Sequence, residues 1–132
     1  MLHSLLVKDY MVGDHLVFRP DMPLLNAVHT LLEHGLSGAA VVDDDDRPIG
    51  FLSERDCLKV ALAASYYEQD AGPVREHMCH EVHAIGADST LIDAIQCFLN
   101  RPLRCLPVTE NGRVIGQISR RDILVALEKM RR

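Results

Sequence analysis

The string IGFLSERD runs from Ile49 to Asp56, and IGQISRRD runs from Ile115 to Asp122. Working outward, VKDYM from Val7 to Met11 is answered by VREHM from Val74 to Met78. Between these anchors Asp21 matches Asp88, Leu24 matches Leu91, Ala27 matches Ala94 and Leu32 matches Leu99. One gap reconciles the halves, because the loop Asp43–Arg47 is a residue longer than Glu110–Arg113. A period of about 66 residues in two copies is not a solenoid array, whose repeats are shorter and more numerous. It describes a duplicated small domain with a pseudo-two-fold axis and two related clefts. On this reading the first repeat spans 7–66, a linker 67–73, and the second repeat 74–132.

The chain of 132 residues is about one domain's worth of protein. Either half alone, at about 60 residues, would bury too little surface to be more than marginally stable. The halves are therefore expected to share an apolar interface. A content of 48% hydrophobic and 25% charged residues is that of a globular chain. The longest apolar stretch is too short to cross a bilayer. The N-terminus lacks the basic-then-apolar pattern of a signal peptide, so the cytoplasm is the expected location. A net charge of −5 argues against a nucleic-acid surface, which needs a basic stripe to displace phosphate counterions. Lys129, Arg131 and Arg132 gather at the C-terminus, where they complement a helix dipole. Cys57, Cys79, Cys97 and Cys105 form no CxxC and read as small buried apolar residues rather than disulfides.

Each half is expected to hold a short strand, a helix, two strands and a second helix. Leu16–Phe18 is a short apolar run, broken by Arg19–Pro23. Leu24, Leu25, Val28, Leu31 and Leu32 then recur at helical spacing up to Gly35, a C-cap residue. Ala39–Val42 and Ile49–Leu52 flank an acidic turn as a hairpin, and Ser53 starts the next helix. The second half repeats this order with strands at Val82–Ile85, Leu106–Thr109 and Val114–Ile118, and helices from Leu91 and Ser119. Asn111-Gly112 between apolar runs is a hairpin-turn signal. The alternation indicates an α/β arrangement, with helices covering small sheets. From Cys57 to Tyr67 the only charge is Lys59, so that helix looks apolar nearly all round and wants burial on more than one side. A homodimer is expected, with Leu58, Ala61, Leu62 and Ser65 at or near its interface.

The duplicated Ile-Gly-x-h-Ser-x-x-Asp, with h apolar, is the candidate for chemistry. A strand ends there and a Ser opens a helix, with an Asp three residues on. Gly permits close backbone approach. The helix start favours an anion such as phosphate. An Asp carboxylate can accept hydrogen bonds from both hydroxyls of a ribose. Arg55, Arg120 and Arg121 are near enough in sequence to reach a phosphate. The plainer reading is a capping box, in which Ser and Asp satisfy each other's backbone N–H groups. Duplication would copy a cap as readily as a site.

The ordered set of motifs, occurring twice, resembles a tandem pair of CBS (cystathionine-β-synthase) domains, the arrangement called a Bateman module. The matching residues are Val7 and Met11, Val74 and Met78, Asp21 and Asp88, the segments His34–Asp43 and Leu103–Val108, and both Gly-x-h-Ser-x-x-Asp strings. Only the termini and the linker fall outside. The resemblance implies an α+β fold of two βαββα repeats packed through their sheets, often dimerised. It also implies an adenosine-containing ligand (AMP, ADP, ATP, S-adenosylmethionine or an NAD-like molecule) in the clefts between repeats. Carried over by position, Ser53 with Asp56 and Ser119 with Asp122 would hold ribose hydroxyls. Leu106, Pro107, Ala84 and Ile85 would face Asp56, and Ala39, Ala40, Val17 and Phe18 would face Asp122. Ala40 stands where family members often carry Pro, and Arg104, a phosphate contact in some relatives, is matched by Ser37. The clefts are therefore not equivalent. The Asp56 cleft, which retains Pro107 and can recruit Arg101 or Arg104, is the one expected to hold the ligand.

Other chemistry is poorly served. His77, Cys79, His80 and His83 are transition-metal or zinc ligand types, but a structural zinc site needs four at a recognisable spacing, so no metal is expected. No Gly-x-Ser-x-Gly elbow or P-loop occurs, and neither Ser53 nor Ser119 has an obvious His base, so no catalytic residue and no enzyme is expected. Asp43–Asp46 lacks the spaced ligands and bidentate Glu of a calcium loop. The expectation is a regulatory module with no covalent cofactor. It would bind an adenosyl ligand, shift between states that bind it unequally, and signal to an effector protein in trans. The alternative is a dimeric scaffold with degenerate clefts.

Overall fold

The computed structural model describes residues 2–13, 16–62 and 71–131. Within it the chain forms two compact units, Leu16–Val82 and Met1–His15 with His83–Arg132. The expected interface residue Ser65 and linker positions 67–70 lie outside the described residues.

The unit Leu16–Val82 is built as β1 (Val17–Phe18), α1 (Leu24–His34), β2 (Gly38–Val42), β3 (Pro48–Ser53) and α2 (Glu54–Leu62). β1 pairs parallel to β2, and β2 pairs antiparallel to β3. Helix α1 starts after Pro23, where a missing N–H costs nothing, and stops at Gly35, whose φ of 64° is left-handed. The apolar stripe of α1 puts Leu24, Ala27 and Leu31 on Ala39, Val41, Leu52 and Phe18. At the β2–β3 turn the Asp43 carboxylate accepts the N–H groups of Arg47 and Asp45, which holds its pKa below the usual value.

The second unit repeats the plan with β4 (Ile85–Gly86), α3 (Leu91–Asn100), β5 (Cys105–Glu110), β6 (Arg113–Ser119) and α4 (Arg120–Lys129). Strand order and direction match those of the first sheet. The turn residues Asn111 and Gly112 have φ of 54° and 78°, the pair of positive values that a tight hairpin turn needs. The strand expected at Val82–Ile85 forms later, at Ile85–Gly86, where Ile85 pairs with Val108 and Gly86 with Thr109. The alternation of two-residue strands is too brief to fix an end from sequence.

Each unit borrows the lead-in of the other repeat. Val7, fully buried, donates its N–H to Ser89 O (2.8 Å), and Lys8 donates to Ala87 O (3.0 Å). The copies of these bonds run from Val74 to Met22 O (2.8 Å) and from Arg75 to Pro20 O (2.9 Å). Val12 then bridges Gln117 on the edge of β6, and Cys79 bridges Phe51 on the edge of β3. Lys8 also pairs with Asp88 at 2.9 Å, and that carboxylate raises the lysine pKa. Ala71, within the expected linker, is buried in the first unit's core.

Candidate functional site

Both Ser-x-x-Asp strings fold as capping boxes. Ser53 donates its N–H and its hydroxyl to Asp56 Oδ2, each at 2.9 Å, and the Asp56 N–H returns to Ser53 Oγ at 3.2 Å. Ser119 does the same to Asp122 Oδ2 at 2.7 and 2.9 Å, and the Asp122 N–H returns at 3.2 Å. The plainer reading of the motif is therefore correct as far as it goes. It does not use the whole carboxylate, because an ionised Asp has about four acceptor sites on two oxygens. Asp122 Oδ1 accepts no hydrogen bond among the described residues. Asp56 Oδ1 has Lys59 Nζ at 3.8 Å. A cap built on Oδ2 leaves Oδ1 for a diol, so capping and ribose binding are compatible at one residue.

The motif's Gly serves the lead-in. A Cβ on Gly50 would lie 2.5 Å from Met78 Sδ, and one on Gly116 would lie 2.6 Å from Val12 O and 2.9 Å from Met11 Sδ. The repeated Met of the lead-in thus seats on the repeated Gly of the strand, which ties the two duplicated signatures into one contact. The close backbone approach expected at the Gly is to this segment.

The remaining candidate residues divide by sheet face. Successive strand residues point to opposite faces. Phe18 and Ala39 pack in the helix-side core of the first unit, and Ile85 and Leu106 in that of the second. Their side chains are committed there, which leaves their backbones for any ligand. Ala40 and Pro107, also buried, alternate with those core residues and lie outside both cores. Val17, half-buried, pairs with Ala40, and Ala84 is exposed. Arg55, Arg104, Arg120 and Arg121 are exposed and make no ion pair among the described residues. Arg104 is tied to the start of α4 through its carbonyl, which accepts the Arg120 N–H at 3.3 Å. Arg101 lies 3.3 Å from His83 Nε2. Sequence reading overlooked two residues. Lys59 beside Asp56 was signalled by opposite charges three apart on a helix. Gln117, a buried polar residue opposite Pro107, carried no such signal.

The Cys57 thiol beside the motif is not an activated nucleophile. Burial, with the charges of Asp56 and Glu54, pushes the Cys57 thiol up to about 11, so it stays protonated at neutral pH. Among the described residues no three His, Cys, Asp or Glu side chains gather as a metal site. His77 instead bonds Ala71 O at 2.7 Å. No described helix is long and apolar enough to cross a membrane.

Comparison with known proteins identifies the family and the fold. The chain is 34% identical over 112 residues to the 17.7 kDa protein in the bps2 3′ region of Acidianus ambivalens, covering 84% of this chain and 66% of that one. It spans about two thirds or less of the curated relatives it first matches, down to 15% of the A-adding tRNA nucleotidyltransferase of Aquifex aeolicus. Two solved structures share its fold. CBSX2 in complex with AMP superposes with a TM-score of 0.84 at 24% identity, over 98% of this chain and 100% of that one. The CBS domain pair of protein MJ0100, in complex with 5′-methylthioadenosine and S-adenosyl-L-methionine, gives 0.82 at 20% identity, over 96% and 98%. The model of the CBS domain family matches twice, over residues 7–63 and 74–129, and the chain belongs to that family as a tandem pair.

Proposed function

We propose that this chain is a regulatory module that binds an adenosine-containing nucleotide in clefts between its repeats and passes the signal to a protein in trans. The observation that carries the reading is the half-used carboxylate at each motif. Oδ2 of Asp56 and of Asp122 is held by its own serine, while Oδ1 of Asp122 accepts no hydrogen bond among the described residues and that of Asp56 has Lys59 Nζ at 3.8 Å, which supports both as acceptors for a ribose diol. The AMP, methylthioadenosine and S-adenosylmethionine held by fold neighbours support an adenosyl ligand. In this reading Ser53, Asp56, Ser119 and Asp122 bind ribose. The sheet-face residues Val17, Ala40, Ala84 and Pro107 line the base, and Phe18, Ala39, Ile85 and Leu106 contribute backbone. Arg55, Arg104, Arg120 and Arg121 supply positive charge. The module works in the cytoplasm as a homodimer, with no catalytic step of its own.

The test is a thermal-shift panel of AMP, ADP, ATP, S-adenosylmethionine and NAD, confirmed by calorimetry. A ligand that binds only the native state raises the melting temperature by mass action, by about 2.7 kcal/mol of stability at a hundredfold excess over Kd. A saturable shift with one or two sites per chain supports the reading. No shift from any of the five at millimolar concentration contradicts it.

A second reading, a dimeric scaffold, is favoured by one observation. Leu58 and Leu62 on α2 are 69% and 88% exposed, and Leu32 and Leu99 at matched positions are 74% and 80% exposed. Leu58 and Leu62, one turn apart on α2, put two large apolar side chains on the same exposed stretch of helix, as an interaction surface does.

A further inference from the structure

Each repeat closes one contact with a methionine sulfur. Met11 sits on Gly116 and Met78 on Gly50, each pair within a single compact unit. The atoms nearest a Cβ on Gly50 are Met78 Sδ (2.5 Å), Cys79 O (3.1 Å) and the Met78 methyl (3.1 Å). On Gly116 they are Val12 O (2.6 Å), Met11 Sδ (2.9 Å) and the Met11 methyl (3.4 Å). Each notch thus brings a thioether against a carbonyl oxygen, and none of these atoms is a donor. The carbonyl belongs to the residue after the methionine, the one that pins the lead-in to the sheet edge. Val12 and Gln117 exchange N–H to O bonds of 2.8 and 3.2 Å, and Cys79 and Phe51 exchange bonds of 2.8 and 2.9 Å. Three residues beyond each Gly stands the Ser of a capping box, Ser53 or Ser119. Both methionines are half-buried, so solvent reaches them.

We infer that Met11 and Met78 are matched oxidation sites whose sulfoxides unseat the lead-in segments from the sheet edges. The oxidant is hydrogen peroxide. The thioether sulfur attacks one peroxide oxygen, the O–O bond breaks, and that oxygen stays on sulfur. The sulfur gives up two electrons, and the other oxygen leaves as water. A soft apolar group becomes a polar acceptor. In the notch that acceptor faces a carbonyl oxygen, which has no proton to give it, and burying a polar group without a partner is unfavourable. The sulfoxide therefore favours a chain in which it reaches water and the bridge at Val12 or Cys79 is open. Met22 and Met130 are half-buried too, but neither is among the nearest neighbours of a glycine, so their oxidation leaves the bridges closed. Epimer-specific methionine sulfoxide reductases reverse the change. The sites stand whether or not the clefts hold a nucleotide.

The experiment treats the wild-type chain and Met11→Leu/Met78→Leu with hydrogen peroxide and maps sulfoxides by peptide mass spectrometry. Melting temperature and amide hydrogen exchange are the readouts. Leu and Met are close in volume, so the variant should fold. Oxidised wild type is expected to melt roughly 5–15 °C lower and to lose about tenfold or more of the exchange protection at the Val12 and Cys79 amides. The two sulfoxide reductases together should restore both readouts. The variant should melt within about 2 °C of its untreated temperature after peroxide. Sulfoxide at Met22 and Met130 while Met11 and Met78 stay reduced would overturn the assignment. So would sulfoxide at Met11 and Met78 with melting and exchange unchanged. Recovery with dithiothreitol alone would place the damage on cysteine, exposed Cys79 included, and overturn it as well. The wild-type readouts decide the matter even if the variant does not fold.

Discussion

A Cβ on Gly116 would lie 2.6 Å from a backbone carbonyl, Val12 O, whereas its copy on Gly50 would meet chiefly the flexible end of Met78, with Cys79 O at 3.1 Å. Backbone cannot move aside as a thioether can. Gly116→Ala should therefore cost about 1–3 kcal/mol, as overpacking typically does, and Gly50→Ala distinctly less, measured by urea denaturation. Equal losses would show that the two notches yield alike. Cys57 gives a pH dependence whose sign is fixed. Its folded pKa of about 11 stands above the ordinary 9.0, so its contribution to stability is whole below about pH 9. It is lost as pH rises toward 11, because the unfolded thiol releases its proton first. The denaturation midpoint should fall more steeply between about pH 9 and about pH 11 in the wild type than in Cys57→Ala. At this scale the sequence was informative about identity and silent about direction. Ser53 and Asp56 could be named as a pair, but which carboxylate oxygen the cap would take depends on a side-chain rotamer that no spacing encodes.

Among elements, the lead-in segments are held as core structure rather than as loose connections. Val7 is wholly buried, and its N–H is bonded to Ser89 O. Val7→Ala removes buried methyl groups from the core formed by Leu91, Val108 and Ile118. It should destabilise by roughly 1.5–3 kcal/mol from lost transfer energy and the cavity left behind. Calorimetric unfolding showing under about 0.5 kcal/mol, the usual range for a surface substitution, would mean the lead-in is not part of that core. Helices and hairpins were legible because each announces itself locally. Gly35 ends α1, Asn111-Gly112 turns β5 into β6, and apolar residues at helical spacing mark α1 and α3. The exchange of lead-ins was not legible. Val7-x-x-x-Met11 is seen to be repeated, but a repeat does not state which copy of Gly-x-h-Ser its Met will meet. That is a long-range contact decided by packing.

For the whole molecule, the duplication made the family and the two-sheet fold readable, because an ordered set of motifs occurring twice constrains far more than any one string. Helix α2 also bears on assembly. Cys57 and Val60 pack on the core, while Leu58, Ala61 and Leu62 are left exposed. Sedimentation at micromolar concentration should find a dimer, and Leu58→Lys/Leu62→Lys should shift it toward monomer. Monomer alone in the wild type would remove the dimer from the account. Function was only half legible, since Ser-x-x-Asp serves a cap and a ribose equally well and one side chain can do both. The central claim is that the Oδ1 oxygens the caps leave over bind a nucleotide, and Asp56→Asn/Asp122→Asn separates the two roles. In each variant side chain the amide oxygen can keep the serine bonds, while the NH2 group replaces the acceptor with a donor. Calorimetric titration of ATP into this double variant and the wild type is the most direct measurement. The expected result is an unchanged melting temperature without ligand and affinity reduced about 10- to 100-fold. Equal affinity in the two proteins would mean that these aspartates are helix caps and nothing more.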